Sequence, residues 1–192
     1  MIRQRSGFTL IELLVVLSII AILVTLAAPS LGQLIQSNTR SGAVNNFLAD
    51  MRYARSESIR RGGGVTVCRS DFPEAVNPGC SSISAQTGSG WASGWIVFHD
   101  LDANGLKNDT DPVFRVQAPI PGMDSIVEGG SGAPAIFRFT ATGRLFDLAS
   151  ATSMTFGGNK YAVDARRVLC IGFSGRVLIA GDGTADCRSD NL

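Results

Sequence analysis

Gly7-Phe8-Thr9-Leu10-Ile11-Glu12 opens into Leu13-Leu14-Val15-Val16-Leu17-Ser18-Ile19-Ile20-Ala21-Ile22-Leu23-Val24. From Phe8 to Ala28 only Thr9, Glu12, Ser18 and Thr25 interrupt the apolar run. An α-helix needs about 20 such residues to cross a hydrocarbon core. Helix is the expected state, because lipid offers no partner to a free backbone. Arg3 and Arg5 precede the run with no acidic residue among them. The positive-inside rule therefore predicts a cytoplasmic N-terminus, with everything after the run on the outer side. A secretory signal has a shorter apolar region followed by its cut site, whereas here the small residue, Gly7, comes first. A plain anchor accounts for the hydrophobicity and the basic flank but not for Glu12. A carboxylate at depth costs about 2.5–3.5 kcal/mol on insertion scales, and it is tolerated when paired.

The pattern Gly7 to Glu12, with Pro29 later, resembles a type IV prepilin leader and N-terminus. The resemblance implies peptidase cleavage after Gly7 and N-methylation of Phe8. It also implies that Glu12 pairs with the N-terminal amine of a neighbouring subunit, and that the helix bends near Pro29.

Beyond Pro29 the chain turns amphipathic. Val44, Phe47, Leu48, Met51, Ala54 and Ile59 recur at helical spacing, and Arg40, Arg52, Arg55, Glu57, Arg60 and Arg61 fit the wetter side. Gly62-Gly63-Gly64 stops the helix. One helix from Thr9 to Arg61 would run about 80 Å at 1.5 Å per residue. From Val65 the period becomes strand-like. Short β-type runs are expected at 65–68, 94–98, 112–116, 135–139, 144–146, 153–156, 167–171 and 176–179. Ser174-Gly175 reads as a two-residue hairpin connection, and 81–94 as a loop. The fold class is α+β: a long N-terminal α-helix, transmembrane in its first half, then a head of two packed, mainly antiparallel sheets. The segments are a leader at 1–7, a membrane or filament-core helix at 8–28, its amphipathic continuation at 29–61 and the head at 62–192.

The head resembles the GspH/FimT family of minor pilins and pseudopilins. The residues that carry this are Phe47 and Met51 to Arg61, Val65 to Cys68, Trp91 with Gly94 to Phe98 and Asp100, and Cys170 with Gly175-Arg176. The cysteine-bearing C-terminal part is closer to the FimU/FimT-type minor pilins. The implied function is assembly without catalysis: a minor type IV pilin in a priming complex at the filament tip. A GspH-type pseudopilin of type II secretion and a FimT-type DNA-binding pilin for transformation are the alternatives. Implied partners are other minor pilins, the major pilin, the prepilin peptidase and an inner-membrane assembly platform. The implied location is the bacterial inner membrane, single-pass with a periplasmic head, and then the pilus or pseudopilus.

Charge and cysteines agree with an exported head. The full chain carries a formal net charge of +1. Without the two leader arginines it has 15 basic and 16 acidic side chains, and from Gly62 onward 10 and 13. Such a balance is not that of a generally basic, nucleic-acid-binding surface. Cys68, Cys80, Cys170 and Cys187 form an even set that suggests disulfides. Of three connectivities, the sequence-local one (68 with 80, 170 with 187) is preferred. A zinc site lacks both CxxC spacing and a second histidine; His99, the sole histidine, fits a strand or strand end.

Two head segments carry candidate chemistry. Asp100-Leu101-Asp102-Ala103-Asn104-Gly105-Leu106-Lys107-Asn108-Asp109-Thr110-Asp111 places Asp100, Asp102, Asn104, Asn108 and Asp111 at positions one, three, five, nine and twelve, with glycine at six. That is EF-hand-like spacing for a structural calcium ion, although Asp111 is shorter than the usual glutamate. The other reading is an acidic hairpin loop of turn-forming residues. No cofactor is otherwise required. The second segment is Gly175-Arg176-Val177-Leu178, an incomplete form of the Gly-Arg-x-Arg element through which some FimT-type pilins bind DNA. Arg166, Arg167 and Arg188 could add charge there; the other reading of Arg176 is a surface hairpin arginine. No nucleophile motif accompanies His99.

Overall fold

The computed structural model describes residues 7–81, 88–129, 136–146, 148 and 150–187, with backbone alone at 26–30. The chain divides into two compact units, Met1–Ser37 and Asn38–Leu192. A single helix, α1 (Leu10–Arg61), contributes to both.

In the first unit every described side chain from Gly7 to Thr25 is exposed. Among the described residues no helix is long and apolar enough to cross a membrane. The described apolar stretch from Leu10 to Thr25 spans about 24 Å at 1.5 Å per residue, short of the roughly 30 Å hydrocarbon core. The expected run to Ala28 and the bend at Pro29 fall on residues 26–30, whose side chains lie outside the described ones.

The second unit begins with the amphipathic part of α1. Ala43, Val44, Phe47, Leu48, Met51 and Ala54 are buried. The expected stripe needs correction at its end: Ile59 is 53% exposed and Ser58 is fully buried. From Ala54 the next position on the same helix face is four residues on, at Ser58, whose hydroxyl is satisfied by the Arg55 carbonyl at 2.8 Å. Two residues expected on the wet side, Arg40 and Glu57, are buried as well. Glu57 is held by Arg60 and by Arg61 at 2.6 Å. These hydrogen bonds draw its carboxyl down to about 2. The helix ends where Gly62 takes a φ of 83°, the left-handed conformation of a C-terminal cap.

Among the described residues eight strands follow: β1 (Gly63–Arg69), β2 (Trp95–His99), β3 (Val113–Gln117), β4 (Ile126–Gly129), β5 (Ile136–Thr140), β6 (Thr152–Phe156), β7 (Arg167–Ile171) and β8 (Val177–Gly181). They form two four-stranded sheets, ordered β3-β2-β1-β5 and β4-β6-β7-β8, with antiparallel pairing throughout. Strand β4 was not expected, because Ile126-Val127-Glu128-Gly129 places a carboxylate in a four-residue run. The structure meets that charge with Trp91 Nε1–H at 2.5 Å. Leu145, expected in a strand, makes only an isolated bridge to Phe139. The β7–β8 connection has three residues, not two: Gly172 N–H donates to the Arg176 carbonyl at 2.9 Å around Phe173 to Gly175. Gly175 has a φ of 75°, and a Cβ there would lie 2.1 Å from the Gly143 carbonyl oxygen, so only glycine fits.

Alternation in the strands separates two cores. Val65, Val67, Trp95, Val97, Phe137 and Phe139 face the main core with Met154, Phe156, Leu169 and Ile171 of the second sheet. Phe47 sits among them, edge-on to Trp91, Trp95, Phe137 and Phe156 at centroid distances of 5.6, 5.4, 6.3 and 5.8 Å. On the opposite face of β1 and β2, Cys68, Ile96 and Phe98 make a small second core with Cys80, Val113 and Ile136. The disulfides are Cys68–Cys80 and Cys170–Cys187. Asp50 fastens α1 to the first sheet, accepting from Trp95 Nε1–H at 2.8 Å and from Arg115 Nη1–H at 2.9 Å.

Candidate functional site

The helix start is the first place where chemistry concentrates. Ser18 Oγ donates to the Leu14 carbonyl and Thr25 Oγ1 to the Ile22 carbonyl, each at 2.8 Å. The helix thus absorbs those hydroxyls, and Glu12 is left as the one charge in the run. Its backbone N–H donates to Thr9 Oγ1 at 3.3 Å, while its Oε2 accepts the Thr9 N–H at 3.5 Å. This is a reciprocal Thr-x-x-Glu capping box. Reading Glu12 by its depth alone missed it, although Thr9 and Glu12 carry the signature. Both bonds are long, and a carboxylate accepts several donors, so Glu12 retains capacity for a cation. The positive end of the helix macrodipole favours an anion at this position. Gly7 and Phe8 lie just ahead of the helix and are exposed.

The acidic loop joins β2 to β3, with His99 ending β2 and stacking on Phe114 at 6.1 Å. Asp100, Asp102 and Asp111 bring carboxylate oxygens within 4.8 Å of one another, the one such cluster among the described residues. Asp100 is buried and accepts the N–H groups of Asn104 at 3.2 Å and Gly105 at 2.8 Å. Asp111, also buried, accepts those of Leu101 and Asn108, both at 2.9 Å. Burial pushes the Asp100 carboxyl up, and neighbouring Asp102 adds to the rise. The two amides touch this centre through their nitrogens, Asn104 Nδ2 donating to Asp102 Oδ2 at 2.8 Å and Asn108 Nδ2 to the same oxygen at 3.2 Å, while their oxygens face the backbone. Asn104 Oδ1 accepts the Leu106 N–H at 2.6 Å, and Asn108 Oδ1 accepts the Thr110 N–H at 2.9 Å. Of the five residues singled out by spacing, the three carboxylates converge, and the two amides donate to Asp102 while their oxygens close turns.

The arginines expected around Arg176 are not gathered. Arg176 lies at the β7–β8 turn, whereas Arg166 and Arg167 are at the opposite end of β7, where Val168 pairs with Gly181. Four strand steps at about 3.3 Å separate Arg167 from Ile171 beside the turn, roughly 13 Å. Arg167 also lies by Asp182, whose carboxyl is held low chiefly by Thr184 hydrogen bonds and in part by that arginine. The cation near the turn is Arg144, over the Phe173 ring at 5.0 Å. Arg188 lies outside the described residues.

An exposed apolar helix carrying one capped carboxylate, ahead of a compact two-sheet head, is the anatomy of a pilin-class assembly subunit. Comparison with known proteins agrees. A family model described as type II transport protein GspH matches residues 43–175, and one for the prokaryotic N-terminal methylation motif matches residues 2–28. No curated protein matches the chain. Among solved structures, the type IV minor pilin FimU of Pseudomonas aeruginosa is similar in two crystal forms. In one it has 19% identity and a TM-score of 0.55, covering 78% of this chain and 93% of FimU. In the other it has 18% identity and a TM-score of 0.53, covering 76% and 96%. At that identity the likeness speaks to the fold. The chain belongs to the GspH family and, with its methylation motif, is a minor pilin or pseudopilin, a structural subunit.

Proposed function

We propose that this chain is a minor pilin of a type IV pilus, and that it joins other pilins in the complex that starts the filament. The observation that carries this is the helix start: a side-chain surface exposed and apolar from Leu10 to Thr25, with Glu12 as its one charge. A helix apolar all round needs lipid or other helices around it. After prepilin peptidase cleavage at Gly7, the new Phe8 amine of a neighbour is the cation that Glu12 would neutralise. A buried pair of that kind tolerates transfer from bilayer to filament core, where a lone carboxylate would not. The head, closed by two disulfides, supplies the specific surface. The FimU-like fold favours a pilus over a secretion pseudopilus, while the GspH family model keeps the latter as the reading to test against.

The experiment is affinity capture of the full-length, membrane-extracted protein, with mass spectrometry of its partners and of its own N-terminus. The expected result is a chain beginning at methylated Phe8, in complex with type IV pilins and the assembly platform. Capture of type II secretion pseudopilins in their place would transfer the protein to that machine, and an uncleaved chain would overturn both readings.

A further inference from the structure

Guanidinium groups cover several aromatic rings of the head: Arg138 lies 4.7 Å from Phe146, Arg144 5.0 Å from Phe173 and Arg61 4.5 Å from Phe114. Phe72 has no such cover among the described residues. It is 78% exposed, and Val76 beside it is fully exposed. Both stand on the loop closed by the Cys68–Cys80 disulfide. The loop is braced. Asn77 Nδ2 donates to Asp109 of the acidic loop, and Lys107 Nζ donates to Asn77 Oδ1 at 3.2 Å. The acidic loop in turn presents exposed Leu101 and Leu106. Two cross-linked loops therefore hold four large apolar side chains out in solvent, and exposed apolar surface rimmed by polar residues marks interaction sites.

Beside Phe72 is a cavity of about 430 Å³, lined by Ser70, Ala75, Gly79 and Cys80 among others. Ser70 is 1% exposed, and its Oγ has no hydrogen-bond partner. An entering acceptor would complete that bond. The exposed charge around the patch is mostly acidic: Asp71, Glu74, Asp102 and Asp109 stand against half-buried Lys107, and Asp71 is ion-paired to buried Arg69 at 3.7 Å. The lysine is committed to Asn77 and to the Asn108 carbonyl. Two copies meeting through this face would set acid on acid, which disfavours an isologous dimer.

We infer that this two-loop face is the docking surface for the head of a different pilin, one that offers an apolar side chain and a hydrogen-bond acceptor within a rim of lysine or arginine. The inference rests on the pilin-subunit reading above and deepens it. The apolar side chains supply the contact, the acidic rim selects the partner, and Ser70 fixes the register of the inserted loop.

The test places a photo-crosslinking amino acid at Val76 of the full-length chain in cells, with a control probe at exposed Ala180 on β8. Cleavage after Gly7 and methylation of Phe8 are read from the same sample. The expected result is a Val76 adduct to another protein with a methylated pilin N-terminus, mapping to a lysine- or arginine-bearing segment. Phe72→Glu and, separately, Glu74→Lys should each reduce the adduct at least fivefold; both sites are exposed, so folding is spared. The inference fails if there is no adduct from a cleaved chain, if the adduct is to a second copy or to a non-pilin protein, if its yield is unchanged in both variants, or if the same adduct forms from Ala180. An uncleaved chain would sink the pilin reading itself.

Discussion

Glu12 caps the helix with Thr9, and in the proposed function it has a second job, charge neutralisation between subunits; substitution can separate the two. Glu12→Gln keeps a side chain that caps at the third helical position and removes the charge. Thr9→Ala removes the cap and keeps the charge. Losing a threonine cap costs about 0.5–2 kcal/mol. The bonds here, at 3.3 and 3.5 Å, belong at the weak end of that range. Thr9→Ala should therefore lower incorporation into filaments by roughly two- to fivefold, since each 1.4 kcal/mol is tenfold. Removing one partner of a buried pair costs about 3–5 kcal/mol, because the other charge is left uncompensated. Glu12→Gln should accordingly reduce incorporation by about two to nearly four orders of magnitude. The assay compares variants expressed at equal level: quantitative mass spectrometry of the sheared filament fraction against the membrane fraction, with leader cleavage followed alongside. Membrane insertion and cleavage should stay at the parent level in both. If Glu12→Gln incorporates within a few fold of the parent, or if Thr9→Ala falls as far, then Glu12 is a helix cap and the assembly argument is wrong.

The head makes its own predictions. Phe47→Ala removes the ring shared by two tryptophans and two phenylalanines; it should cost about 4 kcal/mol and lower the melting temperature of the unit from Asn38 onward by roughly 8–16 °C. Glu128 is buried, and its carboxyl is pushed up by that burial, against the pull of Trp91 and Arg69. A raised folded-state pKa gives stability that is fully present below the unfolded value and lost as pH rises through the folded one. Glu128→Gln should therefore raise the melting temperature at pH 7 and change it little at pH 4; equal effects at both would contradict the assignment. The three converging carboxylates of the acidic loop predict a weak calcium response, of the millimolar extracellular kind. At 5 mM calcium, a dissociation constant near 0.5 mM would add about 1.4 kcal/mol of stability. Chelator and Asp102→Asn should each abolish the rise, and no shift in the parent would remove calcium from the loop.

The parts of the fold governed by local periodicity were legible in the sequence. The helix reads from its apolar spacing and its glycine stop, and seven of the eight strands overlap runs of β-type residues. What escaped were features set by partners distant in sequence. Glu128 disguised β4, because nothing near it announces that Trp91 will meet its charge. Arg40 looks like a surface residue on a helical wheel, yet the fold buries it near Arg167 and Tyr161, and desolvation lowers its pKa. The same distinction divides the candidate sites. The Thr9–Glu12 cap is decided within one helical turn, so its signature is legible in the sequence. The acidic loop is half-legible: spacing names the carboxylates that converge but not that the amides spend their oxygens on the backbone and their nitrogens on Asp102. Arg176 fails as a cluster because a hairpin places Arg167 and Arg176 at opposite ends of one ribbon, a separation that sequence proximity conceals. Phe72 and Val76 carry no motif at all. They become a surface only because a disulfide and the Asn77 side chain hold their loop against another, and that arrangement, more than any conserved-looking motif, is where this subunit's choice of neighbour should reside.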